Sequence, residues 1–102
     1  MSVRKGRAFE YKVMRRLRLM GFQHVVRSPK SAFPDITAIR WNGDKHDIWL
    51  VECKLRGHFT REQEERLVRK ARSIRARPVL AYVWRGVICF RFLDTGERIF
   101  PR

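Results

Sequence analysis

At 102 residues, 44% hydrophobic and 12% aromatic, the chain can bury one core and not two, so residues 1–102 are expected to form a single domain. Lys and Arg outnumber Asp and Glu by 24 to 10, a net charge of +14, and this favours a polyanionic partner, nucleic acid first. Seven Phe and three Trp exclude a disordered basic tail, two cysteines exclude a disulfide scaffold, and the longest apolar stretch, Val79 to Trp84, is too short to cross a bilayer.

Residues 5–20 read as a helix, with Phe9, Val13, Leu17 and Met20 on one stripe and Gly21 as its stop. Phe22 to Arg27 reads as a short strand, and Ser28 to Pro34 as a loop. Asp35 to Trp41 and His46 to Lys54 form a predicted hairpin around the turn signal Asn42-Gly43-Asp44-Lys45. A four-residue loop sets Asp35 opposite Glu52. A two-residue Asn42-Gly43 loop sets it opposite Leu50, with Glu52 diagonal. Both loops are even, so both keep Asp35, Glu52 and Lys54 on one face, whereas an odd loop would separate them. Opposite side chains lie about 5 Å apart at Cβ and diagonal ones roughly 7–8 Å, and either spacing lets two carboxylates share a cation.

Residues 61–75 read as a second helix, capped by Thr60, with Leu67, Ala71 and Ile74 on its buried face. Val79 to Trp84 and Val87 to Leu93 read as a closing hairpin around Arg85-Gly86. Phe90, Phe92 and Trp84 fit either a core or a face between two copies. The order α-β-β-β-α-β-β predicts an α/β domain, a mixed central sheet of about five strands flanked by two helices.

Most acids have local explanations: Glu62, Glu64 and Glu65 suit a helix N-terminus, and Asp44, Asp47, Asp94 and Glu97 lie at or near turns. Glu10, Asp35 and Glu52 have none. Glu52 interrupts the strand Asp47 to Lys54 where burial is expected, and a buried carboxylate is costly unless paired or metal-bound. Lys54, two residues on, projects from the same face. Carboxylates that hold Mg²⁺ (with Mn²⁺ as a substitute), beside an ammonium group, suit phosphodiester hydrolysis. A structural ion pair of Glu52 with Lys54, and Asp35 as a turn cap, is the competing explanation. The three histidines show no ligand spacing, and nothing indicates zinc.

Pro34-Asp35 followed by Glu52-Cys53-Lys54 resembles the nuclease superfamily defined by Pro-Asp and Asp/Glu-x-Lys, which has a restriction-endonuclease-like fold. Within it the chain is similar to the archaeal Holliday-junction resolvases. Lys5-Gly6-Arg7-Ala8-Phe9-Glu10, Gly21-Phe22 before a short strand, and Glu62-Gln63 opening the second helix all match their patterns. The resemblance implies Glu10, Asp35 and Glu52 as metal ligands and Lys54 as the catalytic lysine. It implies Gln63 and Ser31, with Ser28 as a rival, as accessory catalytic residues. Thr60-Arg61-Glu62-Gln63 also reads as a capping box, so Gln63 has two roles open to it. The segment Lys54 to Thr60 is compressed, and Phe59 stands where relatives commonly carry an aromatic hydroxyl.

The family implies a homodimer that nicks opposed strands of branched double-stranded DNA by reading shape rather than sequence. Arg4, Lys5, Arg7, Arg27 and Lys30 are the expected phosphate contacts. The remaining function classes are a repair or restriction-type nuclease of the same fold and a non-catalytic basic nucleic-acid-binding protein. Free cysteines and an N-terminal segment broken by bases throughout are expected of a cytoplasmic protein associated with DNA.

Overall fold

In the computed structural model, which describes residues 3–29 and 33–100, the first apolar stripe forms α1 (Val3–Leu19). Phe9, Val13, Met14 and Leu17 are buried along it, and Met20 is half-buried. Gly21, at φ +100°, ends the helix. Its N–H donates to the Arg18 carbonyl at 3.0 Å and that of Phe22 to the Leu17 carbonyl at 3.1 Å, the paired bonds of a left-handed helix stop. Phe22 is consumed by this stop, so β1 begins at His24 rather than at Phe22.

The strands are β1 (His24–Arg27), β2 (Ile36–Asn42), β3 (Lys45–Cys53), β4 (Arg77–Trp84), β5 (Val87–Phe92) and β6 (Arg98–Ile99). They form one sheet in sequence order, antiparallel throughout except for the parallel β3–β4 pair, which α2 (Arg61–Ser73) connects. The mixed sheet between two helices agrees with expectation; its strand number is six rather than about five. β6 has two residues, too few to show any alternation in sequence. β4 starts two residues before the predicted Val79 because Pro78, buried opposite Leu50, is accommodated in the strand.

The period-2 alternation of each strand divides the core between the two faces. On the α1 face, Trp49 meets Phe22, Phe90 and Phe92 edge-on at 4.7, 5.8 and 5.0 Å, surrounded by Ile36, Ala38, Val51, Val79 and Ala81. On the other face, Leu67 and Ala71 of α2 cover Leu50, with Phe33, Phe59, Ala76 and Leu93 packed around them. Ile74 is no part of that cluster: it is the C-cap of α2 and 50% exposed, and Arg75 after it takes a left-handed φ of 57°. Phe90 and Phe92 are core, whereas Trp84 is half exposed beside Phe100.

Candidate active site

The β2–β3 hairpin turns at Gly43-Asp44, with Asn42 paired to Lys45 and Ile36 to Val51. One step beyond that last pair, Asp35 and Glu52 face each other, as in the first of the two registers considered. Because Ile36 and Val51 point towards α1, Asp35, Glu52 and Lys54 share the opposite face.

Contacts lock this arrangement. The Asp35 N–H donates to Glu52 Oε1 at 3.0 Å, and the Cys53 N–H donates to Asp35 Oδ2 at 2.8 Å. The Lys54 ammonium lies 4.0 Å from Glu52 Oε2 and 5.9 Å from the centre of the Phe59 ring. The Lys54 N–H continues the sheet by donating to the Ala81 carbonyl at 2.9 Å. Glu52 is the one charged side chain buried among the described residues, at 6% exposure.

Burial, then the Asp35 carboxylate beside it, pushes Glu52 up to about 8, and Lys54 offsets only part of this. Two carboxylates held together away from water repel each other, and a bound cation relieves that repulsion. The pair therefore fits a hard divalent ion with oxygen ligands. The Cys53 thiol is raised well above its ordinary range, first by burial and then by the charges of Asp35, Glu10 and Glu52, so it stays protonated and does not make this a thiolate site.

Glu10 is placed differently. It lies on α1 with its carboxylate 3.4 Å from the Arg27 guanidinium, which also sits 5.5 Å from the centre of the Tyr11 ring. Among the described residues no group of three His, Cys, Asp or Glu side chains gathers closely enough for one ion. The structure thus joins Asp35, Glu52 and Lys54, and leaves Glu10 paired with Arg27. Arg7 is exposed on α1. Lys30 and Ser31 lie outside the described residues, as do the side chains of Arg4 and Lys5. Ser28 is half-buried, and its N–H donates to the Asp35 carbonyl at 2.8 Å.

Over residues 1–99 the sequence matches the family model described as archaeal Holliday junction resolvase (Hjc). The chain belongs to that family. The resolvase is similar to the solved structure of Archaeoglobus fulgidus Hjc, a Holliday junction resolvase from an archaeal hyperthermophile. The two share 28% identity and a TM-score of 0.70 over 93% of this chain and 78% of that one. No curated protein is matched. The family makes the chain a structure-selective endonuclease of four-way DNA junctions, with the superfamily's mixed α/β fold.

In the resolvase, Gln63 completes a capping box. Its N–H donates to Thr60 Oγ1 and its Oε1 accepts from the Thr60 N–H, each at 3.1 Å. Two further residues touch the segment that carries Asp35. The Lys70 ammonium donates to the Phe33 carbonyl at 2.6 Å, and the Arg66 guanidinium lies 4.6 Å from the centre of the Phe33 ring. In sequence neither stands out from the other bases of α2, and their i,i+4 spacing is the local signal that joins them.

Proposed function

We infer that this resolvase cuts four-way junctions by Mg²⁺-dependent hydrolysis at Asp35, Glu52 and Lys54, as a homodimer in which each subunit nicks one of two opposed strands. The observation that carries the reading is the opposed Asp35–Glu52 pair, with the Lys54 ammonium 4.0 Å from Glu52. A structural ion pair would account for Glu52 and Lys54 alone. It would not account for a second carboxylate beside a buried glutamate that is already hard to ionise.

Asp35 and Glu52 are the residues that would hold the ion, with Glu10 as a third ligand once Arg27 exchanges it for a DNA phosphate. Bound Mg²⁺, or Mn²⁺ in its place, supplies Lewis-acid stabilisation of the phosphate and a more acidic water. Lys54 orients the attacking water or meets the charge that develops on the phosphoryl oxygens. The ring of Phe59 and the Glu52 carboxylate hold its ammonium in place.

Ser31 and Gln63 act as accessory groups on phosphate or water. Arg4, Lys5, Arg7, Arg27 and Lys30 bind the backbone near the scissile bond, and their contacts fix position rather than read sequence. Residues 1–102 act as one nuclease domain inside the cell. No helix among the described residues is long and apolar enough to cross a membrane.

Glu52→Ala tests the reading. The variant is expected to lose cleavage while it still binds a junction, and the wild type is expected to leave paired, symmetric nicks. Wild-type cleavage by Glu52→Ala would remove the site assignment.

A further inference from the structure

The geometry points to Lys70, assisted by Arg66, as a positioning residue that sets the separation of the two site carboxylates by bracing the Asp35 segment against α2. The inference rests on the proposed function and adds residues to it. Asp35 is fixed from β3 by two hydrogen bonds, and its carbonyl accepts from the Ser28 N–H at 2.8 Å; Phe33 and Pro34, which lead into it, lie outside the paired strands. Phe33, two residues upstream, is held by α2. Lys70 grips its carbonyl at 2.6 Å, and Arg66 and Lys70 both lie over its ring, at 4.6 and 5.9 Å.

Phe33 also packs on the cluster of Leu50, Leu67 and Ala71. Residues 66 and 70 are one turn apart on α2, as are 67 and 71 beside them. Neighbouring stripes of one helix therefore hold both approaches to the site: Leu67 and Ala71 seat Leu50, two residues before Glu52, while Arg66 and Lys70 seat Phe33, two residues before Asp35. A shift of α2 would move the carboxylates relative to each other.

A charged exposed lysine is more commonly a phosphate contact, and the test separates the two roles. Mn²⁺ binding to the full chain is measured without DNA by calorimetry or electron paramagnetic resonance. Junction affinity at several salt concentrations and single-turnover cleavage are measured alongside it. Lys70→Ala is expected to weaken Mn²⁺ binding about tenfold, as loss of a supporting residue does. Junction affinity and its salt slope should not change, and Lys70→Arg should restore Mn²⁺ binding by keeping a donor for the Phe33 carbonyl. Lys70→Met, which keeps the stem and removes only the ammonium, takes the place of the alanine variant if melting shows that variant unfolded.

Unchanged Mn²⁺ binding in a folded variant would overturn the inference. So would a weaker junction complex whose salt slope falls by about one, the mark of a lost phosphate contact. Glu52→Ala in the same assays keeps the two levels apart: if it binds Mn²⁺ and cuts like the wild type, the site reading itself fails. If only the Lys70 variants behave like the wild type, the brace alone fails.

Discussion

The Asp35 backbone N–H donates to Glu52 Oε1 at 3.0 Å, so the residue whose charge opposes ionisation of Glu52 also supplies one of its hydrogen bonds. The backbone N–H favours the ionised form of Glu52 while the Asp35 charge and burial oppose it, and the opposing effects outweigh it.

Glu52 is raised from 4.5 to about 8 in the folded state. Between those values the folded chain keeps a proton that the unfolded chain has released, so the contribution of Glu52 to metal-free stability is fully present below 4.5 and is lost as pH rises towards 8. The loss is on the order of a few kcal/mol. Melting curves across this range should show the decline. Glu52→Gln should flatten it, and Mg²⁺ should raise Tm more at pH near 8 than at acid pH. A Glu52→Gln variant whose Tm follows the same pH course as the wild type would contradict the assignment.

Lys54→Ala should lower the single-turnover rate by roughly 10²–10³ and leave junction affinity nearly unchanged, in line with loss of one group aimed at developing charge. Rapid-quench cleavage combined with a binding titration checks both halves. A variant whose only defect is weaker binding would mark Lys54 as a phosphate contact.

Gln63→Ala should cost about 1 kcal/mol through the cap of α2. Gln63→Glu keeps the capping geometry, since glutamate serves the same box. It should therefore melt like the wild type yet cut more slowly, since the proposed accessory role sets an added charge against phosphate. Equal melting and equal cutting would confine Gln63 to capping.

Arg27→Ala should weaken junction binding at low salt and reduce the slope of log affinity against log salt by about one. Fluorescence anisotropy over a salt series measures this. An unaltered slope would mean that Arg27 serves Glu10 alone.

The sequence carried most of this fold because its signals are local. The Phe9–Val13–Leu17 stripe, the Gly21 stop, the Thr60–Gln63 box and the turns at Gly43 and Gly86 each depend on a few neighbouring residues. The hairpin acids were legible for the same reason, since an even turn alone settles which side they share. What escaped depends on distant partners or on very short spans. β6 exists only through its bonds to β5. Ile74 fits the apolar stripe of α2 but lies past the helix end. The Arg27–Glu10 pair joins α1 to the end of β1. The hold of Lys70 on Phe33 bridges positions 37 apart in sequence.

The parallel seam between β3 and β4 gives the molecule a division of labour. Asp35, Glu52 and Lys54 come from one contiguous hairpin, which closes through nearby pairings before any crossover is needed. Beyond the seam, β4 to β6 contribute support rather than reactive groups. Substitutions at exposed positions of that outer margin, such as Trp84 and Val87, can therefore accumulate without touching the contacts that hold Asp35 and Glu52 together.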